Sequence, residues 1–178
     1  MKNILVITTS LRRNSNSAIL ASAFARGAAE AGHHVETVSL AEAKIGFCRG
    51  CLACQKAGRC VIDDDAAAIA EKMEHADVLV FATPIYYYEM SGQMKTLLDR
   101  ANPLYPKDYA FRDVYLAAAA AEDGDEVWSK AASGLQGWLD CFPKARLAGV
   151  MFAGGVTDAG EAAGHAALEK AIEAGRNA

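Results

Sequence analysis

The chain has 178 residues, with 18 lysines and arginines against 22 aspartates and glutamates and a formal net charge of −4. That balance, with no basic stripe interleaved with aromatics, excludes a nucleic-acid partner from the expected ones, and no apolar run reaches bilayer-spanning length, so no membrane partner is expected either. The size suits one domain over residues 1–178 with a substantial core; without a signal-peptide pattern before the first apolar run, a cytoplasmic location is expected.

The first element is a strand over Asn3–Thr8, where Ile4, Leu5, Val6 and Ile7 form an unbroken apolar run, the pattern of a strand covered on both faces. A helix is predicted over Asn16–Ala31, with Ile19, Leu20, Ala23, Phe24 and Ala28 on one face. Between them lies Thr9-Ser10-Leu11-Arg12-Arg13-Asn14-Ser15-Asn16-Ser17, rich in hydroxyls, amides and arginine and free of acids. The first N–H groups of a helix lack internal partners and carry partial positive charge, so such a loop is a candidate phosphate cradle. The plainer alternative is a helix cap followed by a solvated loop.

His34–Leu40 reads as the second strand, and a cysteine-rich loop follows it. A helix over Asp63–His75, a short strand over Val78–Phe81 ending at Thr83-Pro84, and a helix over Ser91–Ala101 come next. Tyr105–Phe111 is an aromatic connection, Val114–Ala121 the fourth strand and Asp125–Cys141 a helix with Val127, Leu135, Trp138 and Leu139 towards the core. Leu147–Phe152 is the fifth strand, and Asp158–Ala174 is the final helix.

Strands alternating with helices imply an α/β fold with a parallel sheet wrapped on both faces. Ligands then lie beyond the carboxyl ends of the strands. The loops Thr9–Ser17, Thr83–Gly92 and Ala120–Asp125 are the candidates at that edge. Neither G-x-G-x-x-G in the first turn nor G-x-x-x-x-G-K-[ST] anywhere is present, which argues against a dinucleotide grip and P-loop phosphoryl transfer. A hydroxyl-rich cradle suits a mononucleotide, and in the strand order 2-1-3-4-5 that ligand is FMN. Pro84, Ile85, Tyr86 and Tyr87 supply apolar area and backbone for a flavin ring. Three consecutive tyrosines also suit a subunit contact, so a homodimer or higher homo-oligomer is expected.

With these residues in view the chain resembles the NADPH-dependent FMN reductase branch of the flavodoxin-like superfamily, over roughly residues 1–155. The resemblance rests on Thr9–Ser17, matching G-S-x-R-x-x-S-N-[ST], and on Pro84-Ile85-Tyr86, Ser91, Met94-Lys95 and Asp99-Arg100, matching P-[IV]-Y…S-x-x-[ML]-K…D-R in order. It implies a three-layer sandwich, with Ser10, Arg12, Ser15, Asn16 and Ser17 holding the FMN phosphate and Pro84, Ile85, Tyr86 and Tyr87 lining the flavin. Thr9 departs from the family's glycine, and the acidic pair Glu122-Asp123 in the third loop is unsuited to a second phosphate. Lys95, Asp99 and Arg100 fit exposed helix ion pairs and are left outside the site.

Of five cysteines, four fall in Cys48-x2-Cys51-x2-Cys54-x5-Cys60. Thiolates so closely spaced can converge on one iron–sulfur cluster, and the arrangement resembles that of iron–sulfur flavoproteins. Cluster-free reductases share the loop, where the thiols are structural or redox-active. Cys141 is expected to be a buried small hydrophobe, and the histidines show no metal-binding spacing.

The expected activity is an FMN-dependent oxidoreductase. It takes hydride from NAD(P)H as co-substrate and passes electrons to a quinone, nitro compound, flavin or protein acceptor. The alternatives are an iron–sulfur electron carrier and a flavodoxin-fold binding module without catalysis.

Overall fold

The computed structural model describes residues 1–178. Five parallel strands, β1 (Asn3–Thr8), β2 (His34–Ser39), β3 (Val78–Tyr86), β5 (Asp113–Ala119) and β6 (Arg146–Ala153), form a sheet in the order β2-β1-β3-β5-β6. A short β4 (Glu89–Met90) folds back antiparallel onto the end of β3. With β4 set aside, the order is the expected 2-1-3-4-5, the flavodoxin-like arrangement.

Because side chains alternate across a strand, β1 feeds two cores at once. Leu5 and Ile7 pack with Leu79, Phe81, Met94, Leu97, Leu116 and Leu135, under helices α3 (Asp65–His75), α4 (Gly92–Arg100) and α5 (Asp125–Leu139). Ile4 and Val6 pack with Val78, Val80, Leu20, Phe24 and Ile172, under α1 (Asn16–Glu30) and α6 (Ala167–Arg176). The two outer helices α1 and α6 touch backbone to backbone. An added Cβ on Gly27 would stand 2.0 Å from the Ile172 carbonyl oxygen, and one on Gly175 would stand 2.1 Å from that of Phe24. No helix is long and apolar enough to cross a membrane.

Several elements differ from the sequence expectation. β3 runs through Pro84 to Tyr86 instead of stopping at Phe81. Pairing with β1 ends at Ala82, so beyond it β3 is an edge on that side, and a residue lacking N–H is tolerated there. A five-residue helix, α2 (Ala53–Ala57), interrupts the cysteine loop. The last helix begins at Ala167, because the residues expected to open it, from Asp158, are drawn into turns by side chains of the first loop. Cys141 is exposed, since its neighbours Leu139 and Phe142 take the core positions. Arg100 is not a surface residue at all, being 1% exposed.

Candidate functional site

The carboxyl ends of β1, β3, β5 and β6 converge on a cavity of about 230 Å³. Its walls are Ser10, Arg12, Ser15, Asn16 and Ser17 from the first loop, Pro84, Ile85 and Tyr86 from the end of β3, Ala119–Ala121 after β5, and Val156 with Thr157 after β6. A larger groove of about 460 Å³ lies along the starts of β1 and β2 and against α3, away from the edge where such folds bind ligands.

Helix α1 opens at the floor of this cavity. Ser15 is its N-cap, accepting from the Ala18 N–H at 3.3 Å. Beyond that bond the first turn is undersupplied: the N–H groups of Asn16 and Ser17 have no partner in the chain. The Ser17 hydroxyl is also buried without a hydrogen-bond partner. A buried hydroxyl without a partner is costly unless a ligand serves it. Ser10 Oγ accepts from the Arg12 N–H, turning the loop back on itself. Arg12 donates one N–H to the Thr157 carbonyl at 2.8 Å and is the only cation lining the cavity, with no carboxylate beside it. Free N–H donors, an orphaned hydroxyl and a guanidinium form a cradle for an anion with several acceptor oxygens. The donor set fits a phosphate monoester.

Above the cradle the walls turn apolar, with Pro84, Ile85, Tyr86 and the alanines facing one another. The β3–β4 hairpin projects Tyr86, about half exposed, over the rim. Tyr87, expected against a flavin, is instead fully exposed at the hairpin tip and lines no wall. The tip explains this: Tyr87 and Tyr88 both adopt left-handed backbone, with φ of 52° and 65°, which turns Tyr87 outward. Tyr88 leans the other way. The Glu122 carboxylate beside its hydroxyl, with Glu126 nearby, holds its pKa above the usual tyrosine range. The Lys130 ammonium sits 4.9 Å from its ring centre. The hairpin thereby lies against α5.

Asn16 does something the sequence does not suggest. Its amide is spent on the late turn, donating to the Asp158 carbonyl and accepting from the Gly160 and Ala162 N–H groups. Val156 and Thr157 were missed, because the strand-order argument draws attention to the loops after β1, β3 and β5. The Gly154-Gly155 turn after the last strand was the available signal.

The four clustered cysteines lie apart from this cavity's walls. Cys48 and Cys51 are exposed, Cys54 is buried and Cys60 is half-buried. No group of three or more His, Cys, Asp or Glu side chains is gathered to hold a metal ion. Cys48, Cys51, Cys54 and Cys60, the expected metal ligands, do not form such a group here. Left-handed turns at Gly50 and Leu52 break the loop, and α2 points Cys54 inward, where Asn102 Nδ2 donates to its sulfur at 3.0 Å. What holds the loop is Arg100. Its guanidinium donates to both Asp64 carboxylate oxygens at 2.7 Å and to the Gly46 carbonyl, so one buried cation grips both ends of the segment.

Fold and rim together define a flavodoxin-like α/β protein with an anion cradle at the carboxyl edge of its sheet. Residues 2–127 match the model of the NADPH-dependent FMN reductase family, and the chain belongs to that family. Among curated proteins it is similar to an iron-sulfur flavoprotein of Methanocaldococcus jannaschii, 36% identical over 57% of this chain and 52% of that one. An iron-sulfur flavoprotein of Methanosarcina thermophila is 35% identical over 63% of this chain and 59% of its own. The chain thus spans about half the length of the curated relatives it matches. Among solved structures, an NAD(P)H:quinone oxidoreductase from Methanothermobacter marburgensis superposes with a TM-score of 0.74 at 18% identity, covering 99% of this chain and 98% of that one. An azoreductase from Bacillus anthracis gives 0.75 at 17% identity, covering 100% of both chains. At these identities the structures speak for the fold.

Proposed function

We propose that the chain, as one flavodoxin-like domain, is an FMN-dependent NAD(P)H oxidoreductase. The observation that carries this reading is the Ser17 hydroxyl, buried without a partner in a cavity that also offers unpaired helix-start N–H groups and the Arg12 guanidinium. Ser10, Arg12, Ser15 and Ser17 take the phosphate. Pro84, Ile85 and Tyr86 line one side of the flavin, and Ala119–Ala121 line the other. Bound FMN would supply hydride acceptance and electron transfer; the protein supplies orientation and exclusion of water on one side. No acid or base is required of the walls, and none of their residues carries a carboxylate or imidazole. A nicotinamide is then the reductant and a small molecule such as a quinone the electron acceptor. Family membership supports the same chemistry.

The test is a titration of apoprotein with FMN, followed by NADH and NADPH oxidation with a quinone acceptor. Saturable FMN binding and flavin-dependent oxidation of either nicotinamide support the reading. Protein that neither binds FMN nor oxidises nicotinamide in its presence overturns it.

A second reading, an iron–sulfur electron carrier, is favoured by the names of the curated relatives and by the Cys48, Cys51, Cys54 and Cys60 spacing. Iron and acid-labile sulfide assays on anaerobically purified protein separate the two.

A further inference from the structure

The family match ends at residue 127, yet Val156 and Thr157 stand in the same wall as Arg12 and Ser15. One side chain holds that late segment in place. An asparagine amide has two N–H donors and one oxygen with two lone pairs. In Asn16 both lone pairs are used, by the Gly160 N–H at 3.2 Å and the Ala162 N–H at 3.1 Å, and one donor goes to the Asp158 carbonyl at 2.9 Å. Glu161 secures the same turn by accepting from the Thr157 and Asp158 N–H groups, which hold its carboxyl below the usual glutamate range. The carbonyl of Thr157, fixed in this way, receives Arg12 Nη1 at 2.8 Å.

A guanidinium is planar, so pinning one prong orients the remaining donors. It also removes rotamer freedom that an exposed arginine would otherwise lose on meeting its ligand. We propose that Asn16 is a positioning residue and not a phosphate ligand: its amide fixes the Asp158–Ala162 turn, the turn fixes the Thr157 carbonyl, and that carbonyl holds Arg12 at the cavity. This rests on the FMN reading above and adds a segment that the family match does not contain.

The experiment measures FMN and riboflavin affinities by flavin fluorescence for the wild type, Asn16→Ala, Arg12→Ala, the double variant and Gly160→Ala. Gly160 has φ of +96°, a backbone conformation strained for alanine, so its alanine distorts the turn that Asn16 holds while leaving the Asn16 and Arg12 side chains unchanged. The expected result is a loss of about tenfold in FMN affinity for both Asn16→Ala and Gly160→Ala. Riboflavin, lacking the phosphate, binds all variants alike. The double variant is no weaker than Arg12→Ala alone, because the two residues act in series. Additive losses, an unchanged FMN affinity in either turn variant, or a parallel fall for riboflavin overturns the proposal. Wild-type protein that takes neither flavin overturns the FMN reading itself, and this inference with it.

Discussion

The hydroxyls of Thr9 and Ser91 meet at 3.0 Å with both residues fully shielded from water. Thr9 Oγ1 also reaches the Ala82 carbonyl, Ser91 Oγ caps α4 at the Met94 N–H, and the Ser91 N–H donates to Thr83 Oγ1. The threonine that departs from the family's glycine thus points into the sheet, where it joins the ends of β1 and β3 to the start of α4. Replacing Thr9 with glycine leaves Ser91 short of a partner and loosens the backbone. A loss of about 1–3 kcal/mol is expected. Urea denaturation should detect it, with Thr9→Ser keeping most of the stability.

Ser17 separates binding from folding. Its hydroxyl serves nothing within the chain, so Ser17→Ala should leave unfolding free energy within about 0.5 kcal/mol of wild type, or raise it. FMN affinity should nevertheless fall about tenfold, since a donor to a charged oxygen is lost. Equal FMN affinity in the two proteins would remove the hydroxyl from the cradle.

Asp64 gives a pH signature. Hydrogen bonding to Arg100 is the largest influence holding its carboxyl below the ordinary 3.8, the Gly46 and Ala66 N–H groups add to it, and desolvation opposes them. A carboxylate with a depressed native pKa stabilises the fold fully above its unfolded value, and that contribution fades as pH falls through the native one. Acid titration of stability should therefore show a limb below pH 3.8 that is missing in Asp64→Asn. At neutral pH that variant leaves Arg100 buried and uncompensated, at a cost of about 3–5 kcal/mol.

The α1–α6 crossing has no room for a methyl group, because the obstacles at Gly27 and Gly175 are backbone atoms. Gly27→Ala should cost about 3 kcal/mol through overpacking, lowering Tm by roughly 6–12 °C for a chain of this size. The same change at Gly137, with no atom within 4 Å, is the control and should be near neutral.

The alternation of strands and helices and the two-faced core are legible in the residues because each rests on local pattern: the β1 apolar run and the helical spacing in α1; strand order is not local and came with the resemblance to a known fold. What was not legible depends on contacts distant in sequence. Nothing near Arg100 announces that Asp64 and Gly46 will surround it, and nothing near Asn16 reveals a turn more than 140 residues away. Tyr87 was misplaced for a different reason. Its outward direction follows from positive φ at two tyrosines, a conformation that residue identity argues against.

With both ends stapled to α4 by a single guanidinium, the stretch between Gly46 and Ile62 is a loop closed at its base. Extra length on its exposed side, around Cys48 and Cys51, would add little entropic expense. Breaking that one guanidinium contact would free both ends of the segment together.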